Sequence, residues 1–341
     1  MENASSRRDF LAGVLGAVAL GSLPAGAQTS AGAKTKPNKI DVHHHYLPPQ
    51  HVQKILAQRQ GGAPPKWTPE LSLEQLEMNG VATAMMSIVQ PGIWTGNAED
   101  SRSLCRYCND YGAQLVKDHP GRFGLFGPLP LPDTEGSLRE IEYLFDTLKA
   151  DGVGLLTQYD GKYPGDPAFA PVFEELNRRQ AIVYFHPTNP DCCAALVKGV
   201  TVGTIEFATD TSRAIASLMF SGTTTKFPNI RFIFSHGGGT VPFLLSRFEQ
   251  LAKDRKDPFL PGGALPELRR FYYEIAQANH PGALAALLKM APISQVLFGS
   301  DYPFRQVSDA VEGVAKYDFT KAQRQAIERD NAVRLLPRLK T

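Results

Sequence analysis

Five residues stand out because their types can hold a metal or move a proton and because each falls at the end of a short apolar run. His43 and His45 lie in Ile40-Asp41-Val42-His43-His44-His45, His186 in Val183-Tyr184-Phe185-His186-Pro187, His236 in Phe234-Ser235-His236-Gly237, and Asp301 in Phe298-Gly299-Ser300-Asp301. Side chains at i and i+2 share a face of an extended chain, so His43 and His45 can chelate together while His44 points away. One His-x-His pair also fits a bland cluster of polar residues at a strand end. Three further His/Asp positions at the ends of separate runs argue for a common cavity instead. Imidazole nitrogen and carboxylate oxygen without thiolate are the donors of a catalytic Zn²⁺, with Mn²⁺ as competitor, and leave a position open for water or substrate.

Delivering such residues to one place requires elements that end on one face. Eight β-type runs are readable: Lys39–His43, Val81–Val89, Phe123–Leu129, Val153–Gln158, Ala181–His186, Ile230–His236, Phe271–Ala276 and Gln295–Asp301. Between most of them lie helical patterns, as in Ala168–Arg179, where Phe169, Val172, Phe173 and Leu176 recur at helical spacing. Strands alternating with helices predict parallel βα units, and eight of them predict an α/β fold closed as a (β/α)8 TIM barrel, whose strand carboxyl ends open on one face. The second and seventh runs are the weakest, since AMMSIV also reads as helical and YYEIAQ lacks clean alternation.

The composition fits a globular protein: 43% of the 341 residues are hydrophobic and 21% charged, with only 4 cysteines, which excludes a disordered or disulfide-stapled chain. A formal net charge of +2 excludes the dense basic footprint that nucleic-acid binding needs. At the N-terminus, Ser6-Arg7-Arg8-Asp9-Phe10-Leu11 is a twin-arginine motif, followed by an uncharged run to Leu23 and small residues around Ala25-Gly26-Ala27. The run is shorter than the roughly 20 apolar residues of a spanning helix. Residues 1–27 therefore read as a twin-arginine (Tat) signal peptide, residues 28–38 as a flexible linker, and residues 39–341 as the barrel domain. The expected location is the periplasm, reached through the Tat export machinery, which carries proteins already folded and often loaded with a cofactor.

The segments IDVHHHYLPP (40–49), YFHPTNP (184–190), SHGGGTVPFLLSRF (235–248) and FGSDYPF (298–304) resemble the amidohydrolase superfamily. The resemblance is to its amidohydrolase-2 branch, which includes aminocarboxymuconate semialdehyde decarboxylase, γ-resorcylate decarboxylase and the 6-methylsalicylate decarboxylases. GPLPLPDTEGSL (127–138) and GDPAFAPVFEELNRRQAIVYFHP (165–187) look most like the 6-methylsalicylate group.

The resemblance implies His43, His45, His186 and Asp301 as ligands of one divalent ion and His236 as the acid/base or polarising histidine beside Asp301. The carboxylated lysine of two-metal members has no counterpart in the fourth run, Gly154-Leu155-Leu156-Thr157-Gln158, so a mononuclear site is implied. Arg247 and Phe304 match substrate-binding positions, the arginine reaching a neighbouring subunit, which implies a homodimer. The implied activity is metal-dependent, non-oxidative decarboxylation of an ortho-hydroxy aromatic acid such as 6-methylsalicylate. The alternative is a metal-dependent hydrolase of an ester, lactone or amide, with Asp301 taking a proton from water; a non-catalytic periplasmic metal- or substrate-binding protein is a third reading.

Other features carry weaker expectations. Trp94, after the second run, is a candidate pocket wall or a packing residue. Glu274 is expected to support the metal site or to form a buried ion pair. Cys105 and Cys108 form a lone C-x-x-C, and Cys192 and Cys193 are too close for an ordinary mutual disulfide; free buried thiols are expected, the alternative being a disulfide from the Cys192–Cys193 loop to Cys105 or Cys108. His51, His119 and His280 are expected to be solvated.

Overall fold

The computed structural model describes residues 37–58, 63–193 and 196–340. The proposed signal peptide and all but the last two residues of the linker lie outside the described residues. None of the described helices is long and apolar enough to cross a membrane.

Eight parallel strands run in sequence order: β1 (Lys39–His45), β2 (Val81–Ser87), β3 (Phe123–Pro128), β4 (Gly152–Leu156), β5 (Ile182–His186), β6 (Arg231–Phe234), β7 (Tyr272–Glu274) and β8 (Val296–Leu297). Ladders join each strand to the next, and three backbone bonds bring the end of the sheet back to its beginning: Val42 N–H to Phe298 O at 3.0 Å, Asp301 N–H to His43 O at 2.8 Å and His45 N–H to Tyr302 O at 2.8 Å. The (β/α)8 barrel predicted from the alternation of runs is the observed fold, including the second and seventh strands.

Two apolar layers hold it together. Val183 and Phe185 of β5 face the helices, packing in the large cluster that includes Val172, Phe173 and Leu176 of the helix Ala170–Arg178. The alternate positions Ile182 and Tyr184 join Ile40, Val42, Met85, Phe126, Ile233 and Leu297 in the barrel interior, which Leu335, Leu336 and Leu339 close from the C-terminal segment. Parallel strands covered on both sides require such near-continuous apolar runs. His186 continues the inward stripe of β5 at the i+2 position after Tyr184.

In β1 simple alternation would put Val42 and His43 on opposite faces. A register irregularity between Asp41 and His44 resets the pattern. Asp41 fixes the irregular segment: its carboxylate accepts from the His43 and Ser300 backbone N–H groups at 3.1 and 3.0 Å and from Ser300 Oγ at 2.6 Å. His44 then points away from its two neighbours, with Nδ1 at 3.1 Å from Asp41 and Nε2 at 2.9 Å from Ser72 Oγ.

β2, β3, β4, β6, β7 and β8 end before the boundaries expected from the sequence, and β1 runs past its own to His45. Beyond the last three strands His236, Gln277 and Asp301 have φ of 52°, 54° and 66°, so the chain turns through a left-handed residue two to four positions after each of these strands ends. His236 opens the tight turn His236–Gly238 instead of closing β6.

Two smaller expectations are corrected. His51 is fully buried, with its Nε2 2.8 Å from the Gly92 carbonyl, because its helix packs under the loop after β2. Cys192 and Cys193 are joined as a disulfide between adjacent residues, in an exposed turn, and are not buried thiols. Cys105 and Cys108 are free and buried as expected.

Candidate active site

The strand ends bring His43, His45, His186 and Asp301 together, with one potential ligand atom from each lying within 4.8 Å of the others, all four side chains being buried. Asp301 Oδ1 is 3.2 Å from His43 Nε2 and 3.1 Å from His45 Nε2. Each histidine is oriented by an acceptor behind its other nitrogen. Nδ1–H of His43 donates to Glu274 Oε1 at 2.8 Å, that of His45 to the Ser87 carbonyl at 3.2 Å, and that of His186 to the Pro187 carbonyl at 2.7 Å. With Nδ1 carrying the proton, each Nε2 turns a lone pair towards the cluster, which is how protein metal sites fix the tautomer of their histidines.

The donor set itself tests whether a cation belongs here. His43 Nε2 and His45 Nε2 are 3.0 Å apart, an approach that either a proton on His43 or a cation between them accommodates. Two carboxylates, Glu274 and Asp301, are buried against them. Burial alone would lower the His43 pKa, but Glu274 and Asp301 outweigh it and push it up to about 10. Burial lowers the pKa of His45 and, with the neighbouring histidines, holds that of His186 well below the usual range. Burial would raise Asp301, yet the charge on His43 and bonds from the surrounding histidines hold its carboxyl well below the usual carboxylate range. An ionised aspartate and two neutral imidazoles are ready to bind a divalent ion, and the third imidazole, His43, ligates once it gives up its proton. The residues fit one.

Glu274 and Gly299 build the floor of the site. Glu274 Oε1 also accepts from the His236 backbone N–H at 2.6 Å, and its Oε2 from Ala276 N–H at 2.7 Å. A methyl group on Gly299 would overlap Glu274 Oε2 and crowd His43 Cβ at 2.9 Å, so only glycine lets the carboxylate approach this closely. His236 stands beside Asp301, its Nε2 3.5 Å from Oδ2, and this buried atom has no hydrogen-bond partner within range. It faces the cavity ready for one.

Above the cluster opens a cavity of about 800 Å³ whose walls include His186, Phe207, His236, Gln277, Asp301 and Phe304. Its volume lies within the roughly 300–1,000 Å³ of small-molecule sites and accommodates a monocyclic aromatic acid. Phe304 forms part of the wall, its ring edge-on to His45 with centroids 5.6 Å apart. Trp94 is half-buried outside the lining; the loop after β2 offers Val89 and Gln90 instead. Arg247 is exposed on the helix Val241–Arg255, next to the inward-facing Phe248, and does not line this cavity. At the end of β4, where a second metal would need a lysine, Thr157 Oγ1 donates to Asp210.

The amidohydrolase family model matches residues 40–338. The chain belongs to the amidohydrolase family. It is 36% identical over 324 residues to decarboxylase macB of Penicillium terrestre, an alignment covering 89% of this chain and 96% of the relative. It is 35% identical over 324 residues to the 6-methylsalicylic acid decarboxylase of Penicillium expansum, covering 89% and 97%. Among solved structures, one described as amidohydrolase II superposes with a TM-score of 0.81 at 30% identity, covering 88% of this chain and 99% of that one.

Two residues escaped the sequence reading. Gln277, after β7, donates from Nε2 to Asp301 Oδ2 at 2.5 Å and accepts at Oε1 from Arg305 Nε at 3.1 Å. Glutamine and arginine are neither ligand nor acid/base types, so a search for such types passes over both. The signal that was available is positional, a polar residue just past a strand end.

Proposed function

We propose that this amidohydrolase decarboxylates an ortho-hydroxy aromatic acid of the 6-methylsalicylate type, non-oxidatively and with a divalent ion. One observation carries the reading: a cavity of aromatic-acid size opens onto a complete three-histidine, one-aspartate cluster in a chain more than a third identical, over nearly its whole domain, to a decarboxylase. His43, His45, His186 and Asp301 would hold the ion, zinc first by donor type and manganese second, and it would supply Lewis acidity that stabilises the substrate as its phenolate.

The protein's own residues then handle one proton. Asp301, kept ionised, accepts the hydroxyl proton and returns it to the ring carbon that bears the carboxylate. That carbon becomes tetrahedral, the C–C bond breaks, its electron pair restores the aromatic ring and CO₂ leaves. The phenolate takes a proton from water as it departs. His236, beside Asp301, offers its unpartnered Nε2 to the oxygen on which charge develops. Phe304 and Phe207 supply the apolar wall for the ring.

Incubating the metal-replete protein with 6-methylsalicylate tests this. The expected products are CO₂ and 3-methylphenol; hydrolysis of esters or lactones without CO₂ release would overturn the reading. Export through the twin-arginine route to the periplasm and pairing of two chains belong to the same proposal. The Ser6–Leu11 motif supports the first and the exposed Arg247 the second, and cell fractionation and light scattering test them.

A further inference from the structure

Three consecutive strand ends, those after β6, β7 and β8, each turn through a left-handed non-glycine residue, and all three side chains converge: His236, Gln277 and Asp301. Left-handed backbone at such residues costs about 1–3 kcal/mol and persists where the surroundings impose it, commonly at functional sites. His236 and Asp301 already have roles. Gln277 has the same backbone and the same aim.

Its amide is oriented without ambiguity. Arg305 Nε–H is a donor only, so the atom it meets at 3.1 Å must be the Gln277 carbonyl oxygen, and the NH₂ group must face Asp301 Oδ2. Arg305 also lines the cavity, and its two terminal nitrogens have no protein acceptor among the described residues. An arginine anchored through Nε with two free donors is shaped for a carboxylate, which it grips with both terminal nitrogens.

We propose that Arg305 is the specificity-determining residue that binds the substrate's carboxylate, and that Gln277 is the positioning residue that links it to Asp301. This rests on the aromatic-acid reading above. The amide bond from Gln277 fixes one carboxylate oxygen of Asp301, so the plane of the proton-carrying group is set. Arg305 holds Gln277 in that orientation while engaging the acid to be cleaved.

Binding of non-reactive probes to the metal-loaded protein, followed by calorimetry, tests the proposal apart from turnover. For 2-methylbenzoate, the substrate without its ortho hydroxyl, Arg305→Met should weaken binding about 10- to 100-fold, as expected for loss of a charge-assisted contact. Binding of neutral 3-methylphenol should change less than twofold. Arg305→Lys should recover part of the acid affinity. Gln277→Met should lower kcat about tenfold with metal content unchanged and weaken acid binding less than Arg305→Met does; an unchanged kcat would overturn the Gln277 assignment. Equal effects of Arg305→Met on acid and phenol, or none on either, would overturn the Arg305 assignment while leaving the decarboxylase reading intact. A wild-type protein that binds no aromatic acid and releases no CO₂ would overturn both.

Discussion

Replacing Glu274 by glutamine changes one charge and almost no volume, and the consequence can be worked out from its contacts. The carboxylate accepts three bonds: His43 Nδ1–H at 2.8 Å and His236 N–H at 2.6 Å on one oxygen, and Ala276 N–H at 2.7 Å on the other. A glutamine has one oxygen. If that oxygen faces His43 and His236, its NH₂ meets the Ala276 donor head-on; flipped, it meets two donors. At least one buried N–H loses its acceptor, costing about 1–3 kcal/mol of stability. The charge behind His43 also disappears, so the imidazole becomes a poorer metal ligand. Loss of such a supporting carboxylate lowers metal affinity about 10- to 100-fold, or about 1.4–2.8 kcal/mol. Competition with a chelator of known affinity, with thermal melts of the stripped protein alongside, reads both terms. A Glu274→Gln protein that binds zinc or manganese within twofold of the wild type would refute the reasoning.

Other perturbations follow from the same geometry. Asp301→Asn removes the proton carrier, and kcat should fall about 10²- to 10⁴-fold; near-normal CO₂ release by a variant that keeps its metal would contradict the mechanism. Gly299→Ala should destabilise the fold by about 1–3 kcal/mol through overpacking against Glu274 and His43, seen as a lower melting temperature and lost metal affinity, and unchanged values for both would count against the floor described here. In the metal-free protein the His43 pKa is raised to about 10. Its protonation therefore contributes stability that is complete below the ordinary histidine pKa of about 6.5 and is lost as pH rises through 10. Metal must displace that proton, so binding near neutral pH should release protons and tighten as pH rises. Calorimetry in buffers of different ionisation enthalpy checks this, the contrary result being uptake without proton release.

Much of this molecule is written in short-range pattern. Eight apolar runs separated by helical periodicity are enough to specify a barrel, since parallel strands need both faces covered and helices are the cover. The cluster His43, His45, His186 and Asp301 could be read because each residue interrupts an apolar run where a strand should end. What escaped depends on backbone conformation or on contacts distant in sequence. Most strand ends fall a few residues before the apolar run does, because pairing stops before hydrophobicity does, and the left-handed turns at His236, Gln277 and Asp301 leave no mark in hydrophobic alternation. The reset at Asp41 that turns His43 towards the cavity is likewise silent in the sequence, since it is fixed by Ser300, 259 residues away. His51 read as solvated because its neighbours are polar, whereas its environment is the Gly92 loop on another element. Gln277 and Arg305 carry no ligand chemistry of their own and gain meaning only from the carboxylate they meet.

The most direct test of the central claim is to strip the protein of metal and titrate zinc or manganese back while following CO₂ release from 6-methylsalicylate. The account predicts no turnover in the stripped protein and a linear rise that levels off at one ion per chain. Turnover that survives stripping, or that requires two ions per chain, would contradict it.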